Sequence, residues 1–392
     1  MDRRLVLGLI RMACFVVGLP WLIDAGVRLV LARASRRWVV EPAAEAPDRT
    51  RWLVVVPSRS EGDAVAPTLE SIEATAAGHN VQTVLLLDGA DEAAMDAVTD
   101  TGASTVVKEP AGPTKGAALS WLVTHHAALL DGVDAVLVVD VGSCLAPGFF
   151  DGMSWPPGMA ALQAWLRGAG GGVGDAAALS ERAAQMWQDR GRQALGWAVQ
   201  LRGTGMAFTP AALKSIAPRL RTSTEDTEAT LLLDSDGQRI ELAGEGAVLE
   251  DVKPTSVADA ASQRSRWLLG QLAIFVHQPA ALSRLLVRRP VAGLAFVAGL
   301  LSRPLSLTAL FRFMLALGFL ADAAIGSGGA ISATASGLLI LSLVGDVFLL
   351  RRATEASWGW LLRYLAQMLG AWCGALVLFP KAMLGWARAR RK

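Results

Sequence analysis

The chain has 392 residues, 53% of them hydrophobic and 18% charged, and a mean hydropathy of +0.39, too apolar a balance for a purely soluble protein of this length. Its 37 Lys and Arg against 35 Asp and Glu leave a net charge of +2, which gives no basic field for a nucleic-acid partner. The 3 cysteines and 4 histidines lack metal-ligand spacing, which argues against a disulfide scaffold or a zinc site.

In chain order, Leu5 to Ile23 carries Arg11 as its single charge and no small-residue cleavage site. It is long enough to cross a hydrocarbon core of ~30 Å and reads as a retained anchor within residues 1–40. Arg28, Arg33, Arg36 and Arg37 behind it outnumber Arg3 and Arg4 ahead of it, which places the following domain in the cytoplasm of a multi-pass inner-membrane protein. Residues 41–50 read as a polar linker. From 51 to about 252, RWLVVVP (51–57), TVLLLD (83–88), STVVK (104–108) and DAVLVVD (134–140) are apolar runs suited to strands buried on both faces. Helices are expected between them at 65–76, 91–99 and 114–130. The alternation predicts an α/β fold with a doubly wound, mostly parallel sheet that binds ligands beyond the carboxyl ends of its strands.

Residues 268–289 mix apolar positions with His277, Arg284, Arg288 and Arg289, as an amphipathic helix in the bilayer interface does. The stretches 305–325, 331–350 and 360–380 are long enough to span, whereas 291–302 is too short alone. Three crossings after a cytoplasmic domain would leave the basic tail from Arg388 outside, so either one stretch is re-entrant or 291–302 joins an extra crossing. Trp38, Trp267, Trp358, Trp360 and Trp386 fall near the expected membrane boundaries. Arg11, Arg312 and Asp346, the main charges inside the spans, show no paired arrangement, which argues against a transporter.

Several motifs could carry chemistry. Val56-Pro57-Ser58-Arg59-Ser60-Glu61 ends the first strand with amides and a carboxylate that suit a nucleobase or ribose, although such strand–turn–helix units are common. Asp88 closes the second strand and would serve equally as a turn former. Lys115 opens a helix where a phosphate can sit, without the glycine spacing of a Walker A loop. Asp140 ends the fourth strand, followed by Val141 and Gly142. The glycines of Arg202-Gly203-Thr204-Gly205-Met206 permit close approach to a ligand or a β-bulge. Thr222 to Glu228 sets Glu225, Asp226 and Glu228 in one helix start, either as favourable charges at a helix N-terminus or as neighbours that raise the pKa of a general base. Gln263-Arg264-Ser265-Arg266-Trp267 offers a cation and a stacking face, or a belt at the bilayer surface.

The order of these motifs resembles the membrane-integrated family 2 glycosyltransferases, which include cellulose, hyaluronan and chitooligosaccharide synthases and ceramide glucosyltransferase. VPSRSE, LLLDGAD, TKGAAL, LRGTGM, TSTEDTE and QRSRW carry the likeness. It implies a GT-A fold, with an anchor at 1–40, a catalytic domain at 51–267, an interfacial helix at 268–290 and membrane helices at 291–392. It further implies inverting hexosyl transfer from a nucleotide diphosphate sugar, most commonly of UDP, to a hydroxyl of a lipid or glycan at the membrane face. By that resemblance Asp226 is the catalytic base with Glu225 beside it. Pro57, Ser58, Glu61, Asp88, Lys115, Asp140 and Arg266 meet the donor, and Gly203, Thr204, Gly205, Gln263 and Trp267 the acceptor. Partners would be membrane lipid and, in some relatives, subunits of a polysaccharide export complex. The relatives' Asp-x-Asp is here Asp140-Val141-Gly142, so the second carboxylate for a divalent cation is missing. Asp140 is then expected to hold Mg2+ or Mn2+ weakly, or Lys115 and Arg266 to act in the cation's place. A non-catalytic, nucleotide-sugar-binding scaffold subunit is the alternative reading, disfavoured by the retention of Asp226, Arg266 and Trp267.

Overall fold

The structure is a computed structural model that describes residues 3–39, 49–99, 101–169, 171, 173–303, 305–325, 329–354 and 357–389. Most of the expected linker and the last residues of the basic tail lie outside these. Ten strands occur among the described residues: β1 (Arg51–Ser58), β2 (Asn80–Asp88), β3 (Ser104–Lys108), β4 (Ala135–Val138), β5 (Ser143–Leu145), β6 (Met159–Gln163), β7 (Trp165–Ala169), β8 (Met206–Phe208), β9 (Arg239–Leu242) and β10 (Val248–Val252). Seven of them form one sheet in the order β3-β2-β1-β4-β8-β6-β9. β1 pairs in parallel with β2 and β4, and β2 with β3, while β8 runs antiparallel to both β4 and β6. This is the doubly wound, mostly parallel sheet of the GT-A fold.

Alternation along β1 shows why an unbroken apolar run suits its place. Leu53 and Val55 pack with Leu119 and Leu122 on one face, and Val54 and Val56 with Leu69 and Ile72 on the other. The helices between strands are Ala66–Thr75, Glu92–Val98 and Lys115–His125, the last followed by a short 3₁₀ turn at Ala127–Leu130. β5, β10 and β7 make a second, three-stranded sheet in that order.

Four helical segments are long and apolar enough to cross a membrane among the described residues: Gly8–Arg37, Leu307–Ala324, Gly329–Arg352 and Trp358–Pro380. The first belongs to a helix running from Arg3 to Ala34, longer than the expected anchor. Arg28 and Arg33 therefore lie inside it, and Arg36 and Arg37 follow directly after its end. Contrary to the expectation of unpaired charges, Arg28 bonds Asp346 at 2.9 and 3.0 Å and also pairs with Asp24. Arg312 pairs with the same Asp346, and Arg11 with Asp322 at 2.7 Å.

The interface segment expected at 268–289 is two helices, Val257–His277 and Pro279–Arg288. The basic side of the second turns toward protein. Arg288 donates to the Ser235 carbonyl at 3.0 Å, Arg284 meets Asp236 at 3.3 Å, and Arg289 meets Asp234 at 2.7 Å, all at the C-terminal end of helix Glu225–Ser235, where cations are favoured. Trp38, expected at a bilayer boundary, instead packs edge-on against Trp165 and lies under the Arg190 guanidinium at 4.2 Å. Trp358 is exposed, and nothing is described of the Trp386 side chain.

Candidate active site

The carboxyl ends of β1, β2 and β4 converge as their parallel register requires. Past β1, Ser60 adopts a left-handed conformation (φ 56°). The Gly62 amide then donates to Asp91 at 2.9 Å, and Asp91 also caps helix Glu92–Val98. This turns Glu61 toward β4. Burial, followed by the charges of Asp140 and Asp91, holds Glu61 above the usual carboxylate range. Pro57 and Ser58 are still strand residues paired with Leu86 and Leu87. The Ser58 hydroxyl is buried without a partner among the described residues. Asp88 accepts from the Gly112 amide at 2.6 Å and pairs with Lys108 at 3.2 Å. It is thereby fixed at the sheet edge.

Lys115 is the centre of the site. Its helix starts at Thr114, whose hydroxyl accepts from Ala117 N. The Lys115 ammonium donates to Asp140 Oδ1 at 2.8 Å and to the Gly203 carbonyl at 2.9 Å, and it pairs with Glu225 Oε1 at 2.7 Å. All three of its protons are thus engaged. Burial opposes its charge, but Asp140 and Glu225 outweigh burial and hold its pKa above the ordinary lysine value. The resemblance makes Lys115 a diphosphate ligand. The structure shows it knitting two carboxylates and a carbonyl together, so a direct bond to phosphate requires one of these to be released. The next residue, Gly116, allows this packing, because a Cβ there would lie 2.8 Å from Leu220 and 3.4 Å from Glu225.

The Gly203-Thr204-Gly205 loop is turned inward. Both glycines have positive φ, 85° and 64°. Thr204 is buried, its hydroxyl accepting from the Asp140 amide at 3.0 Å and donating to Ser143 at 3.2 Å. Gln163, a buried amide missed by the sequence analysis, supports the same loop by donating to the Thr204 carbonyl at 2.9 Å and accepting from the Arg202 amide at 2.9 Å. Its one signal was a lone amide ending an apolar run.

The three carboxylates of helix Glu225–Ser235 have separate tasks. Glu225 is bound to Lys115. Glu228 is fully buried, accepts from the Arg221 and Thr222 amides at 2.8 Å each, and shapes the turn before the helix. Asp226 Oδ1 accepts from Thr227 N at 2.6 Å, while Oδ2 faces Gly203, coming within 3.9 Å of where a Cβ would stand. No hydrogen bond or ion pair engages that oxygen among the described residues. Burial first, then the Glu225 charge, pushes the Asp226 pKa up to about 6, against the opposing Thr227 amide, Lys115 and Arg303.

Helix Val257–His277 lies against the turn before this base. A Cβ at Gly270 would meet Ser223 and Thr224 at 2.8 and 2.7 Å, and the Arg266 carbonyl accepts from the Ser223 hydroxyl at 3.1 Å. Arg266 and Trp267 are exposed and Gln263 is half-buried. Among the described residues no hydrogen bond or ion pair joins them to Lys115, Asp140 or Asp226. Arg264 is the buried arginine of this motif, its guanidinium 5.4 Å from the Trp372 ring centre.

The described residues do not fit a resident divalent cation. No group of three His, Cys, Asp or Glu converges on one point among them. Gly142 offers no carboxylate, and Asp140 is already engaged by Lys115.

Among solved structures the chain is similar to a mannosyltransferase from Pyrobaculum calidifontis in complex with GDP-Man and Mn2+, with 16% identity over 86% of this chain and 99% of that one and a TM-score of 0.46. It is also similar to glucosyl-3-phosphoglycerate synthase from Mycobacterium tuberculosis in complex with Mn2+ and UDP (17% identity, 57% and 80% covered, TM-score 0.37) and to mannosyl-3-phosphoglycerate synthase from Rubrobacter xylanophilus (15%, 66% and 78%, 0.36). No curated protein matches the chain. Residues 173–386, just over half of the chain, match the family model described as glycosyl transferase family group 2, and the protein belongs to that glycosyltransferase family.

Proposed function

We propose that the protein is an inverting membrane glycosyltransferase that moves a sugar from a nucleotide diphosphate sugar, a UDP-sugar, to a hydroxyl of a lipid or saccharide at the cytoplasmic membrane face. The observation that carries this reading is the free oxygen of Asp226. Its neighbours Glu225 and Asp140 are both paired with Lys115, while Asp226 keeps one oxygen open and a pKa of about 6, the placement a general base needs near neutrality. In the step, Asp226 takes the proton of the acceptor hydroxyl, whose oxygen forms a bond to the anomeric carbon. The bond from that carbon to the diphosphate breaks, its electron pair leaves with the nucleotide, and configuration inverts. Pro57, Ser58, Glu61, Asp88, Lys115, Asp140 and Arg266 are assigned to the donor, and Gly203, Thr204, Gly205, Gln263 and Trp267 to the acceptor. The cytoplasmic placement is supported by Arg33, Arg36 and Arg37 at the end of the first candidate span.

The test is sugar transfer from UDP-sugars by the full-length protein in phospholipid nanodiscs, with products identified by mass spectrometry. Asp226→Asn is expected to abolish the product that the parent forms. An undiminished product would take the proton transfer away from Asp226, and a parent that forms no product would move the protein to the scaffold reading.

A further inference from the structure

Near Asp226, three arginines gather around one carboxylate, Asp189. Arg202 Nε donates to Asp189 Oδ2 at 3.0 Å, and its Nη2 bonds the same oxygen. Asp189 is fully buried and closes a π-helical turn, Ala184–Asp189, a rare geometry that recurs at functional sites. Arg192, one helical turn further on, is 7% exposed, and its Nε has no partner. Arg303 follows helix Pro290–Ser302, its amide donating to the Gly299 carbonyl at 3.1 Å, and its side chain makes no hydrogen bond among the described residues. Its charge acts on Arg192, Arg202, Asp189 and Asp226.

The surrounding acids are committed elsewhere. Asp234 pairs with Arg289 at 2.7 Å and Glu181 with Lys253 at 2.7 Å. Asp226 feels Arg303 only behind burial, Glu225, the Thr227 amide and Lys115. Three guanidiniums therefore share Asp189, and guanidiniums enclosed without matching countercharge are costly unless an anion completes the site. The largest charges acting on Asp140 are Lys115, Glu225 and Lys253, and those on Glu61 are Asp140, Asp91 and Lys115, with none of these three arginines among them. Arg303 also stands just ahead of the candidate span that begins at Leu307, which puts the cluster at the bilayer edge.

We propose that Arg192, Arg202 and Arg303 form a phosphate subsite for the acceptor, so that the acceptor is a phosphorylated molecule whose hydroxyl reaches Asp226. The proposal rests on Asp226 being the base of the transfer. Guanidiniums suit phosphate because their paired N–H groups match its oxygens. A lipid headgroup and a soluble phosphomonoester present the same chemistry here.

The experiment uses the full-length protein in phosphatidylcholine nanodiscs and two probes. Glycerol 3-phosphate is titrated by calorimetry, and phosphatidic acid added to the discs is followed by native mass spectrometry. The parent is expected to bind at least one of them. Arg303→Gln should weaken that binding tenfold or more, Arg303→Lys should recover most of it, and UDP affinity should stay within twofold throughout. Retention of phosphatidic acid alone assigns the phosphate to a headgroup, and binding of glycerol 3-phosphate assigns it to a soluble ester. The subsite is overturned if neither probe binds, if Arg303→Gln binds as the parent does, or if UDP affinity falls in parallel, which would give the arginines to the donor. Asp226→Asn separates the two readings. Transfer surviving in that variant, with phosphate binding still dependent on Arg303, would remove the base and leave the subsite standing.

Discussion

A buried carboxylate becomes a useful base only when its neighbours hold its ionisation between too easy and too hard. At Asp226 burial and Glu225 push toward the protonated form, and the Thr227 amide and Lys115 push back. The balance near pH 6 fixes the sign of a pH effect. The reactive form is the carboxylate, so kcat/KM should be level above about 6 and fall about tenfold per unit below it. Asp226→Asn should lower transfer by about 10²–10⁴-fold, the usual share of a general base. A rate that stays flat down to pH 5 would take the proton transfer away from this residue. Gly142 allows a second test. Its φ of 85° favours glycine, its amide donates to the Thr68 hydroxyl at 3.0 Å, and a Cβ added there meets nothing within 4 Å. Aspartate tolerates this conformation at a cost of about 1 kcal/mol. Gly142→Asp would restore a carboxylate two residues from Asp140, and titration with Mn2+ should show binding at least tenfold tighter than in the parent. Equal affinities would mean that Lys115, not the missing carboxylate, sets the metal response.

Among the elements, the N-terminal helix has an unforgiving fit. Its last turn lies on Gly191, where a Cβ would stand 2.2 Å from the Leu31 carbonyl oxygen and 2.7 Å from its carbon. Backbone atoms cannot step aside as side chains do. Gly191→Ala should therefore cost about 1–3 kcal/mol through overpacking and lower the Tm in nanodiscs, whereas an unchanged Tm would mean that this helix does not rest on the catalytic domain. Such a contact has no sequence signal, since a glycine amid Arg190 and Arg192 reads as a loop. What was legible had periodicity or a motif behind it. β1, β3 and β4 stood out as apolar runs, and β2 began at Asn80 instead of Thr83 because its first residues are polar and partly exposed. β5 has three residues, and β10 carries Glu250 and Asp251 in its centre, so neither offered a run to read. The motifs brought Lys115, Asp140, Glu225 and Asp226 to one place. They did not show that Thr204 faces Asp140, or that Arg264 and not Arg266 is buried. Those two arginines are about 200° apart around a helix, and only packing decides which face meets protein. Arg192 and Arg303 carried no motif at all.

On the scale of the whole molecule, the membrane-spanning segments are joined by charge as well as by apolar packing. Their outward faces are apolar, with Met314, Leu341 and Val377 exposed, while Asp346 in helix Gly329–Thr354 gathers Arg28 from the N-terminal helix and Arg312 from helix Leu305–Ala324. Arg312 is almost fully buried and also donates to Ser342 at 3.0 Å. A network of this kind is weak evidence for stability, because the cost of removing charges from water offsets much of their attraction. It predicts an asymmetry instead. Asp346→Leu leaves Arg312 enclosed with no carboxylate, while Arg28 keeps Asp24, and losing one partner of a buried pair costs about 3–5 kcal/mol. Arg312→Leu combined with Asp346→Leu removes both charges and leaves Arg28 paired with Asp24, so the double variant should be more stable than Asp346→Leu alone and close to the parent. Thermal unfolding of the parent, Asp346→Leu, Arg312→Leu and the double variant in nanodiscs measures the cycle. If Asp346→Leu unfolds at the parent temperature, the three helices are held together by their apolar contacts and the charges contribute nothing to their assembly, and a double variant no more stable than Asp346→Leu would remove the coupling between Arg312 and Asp346.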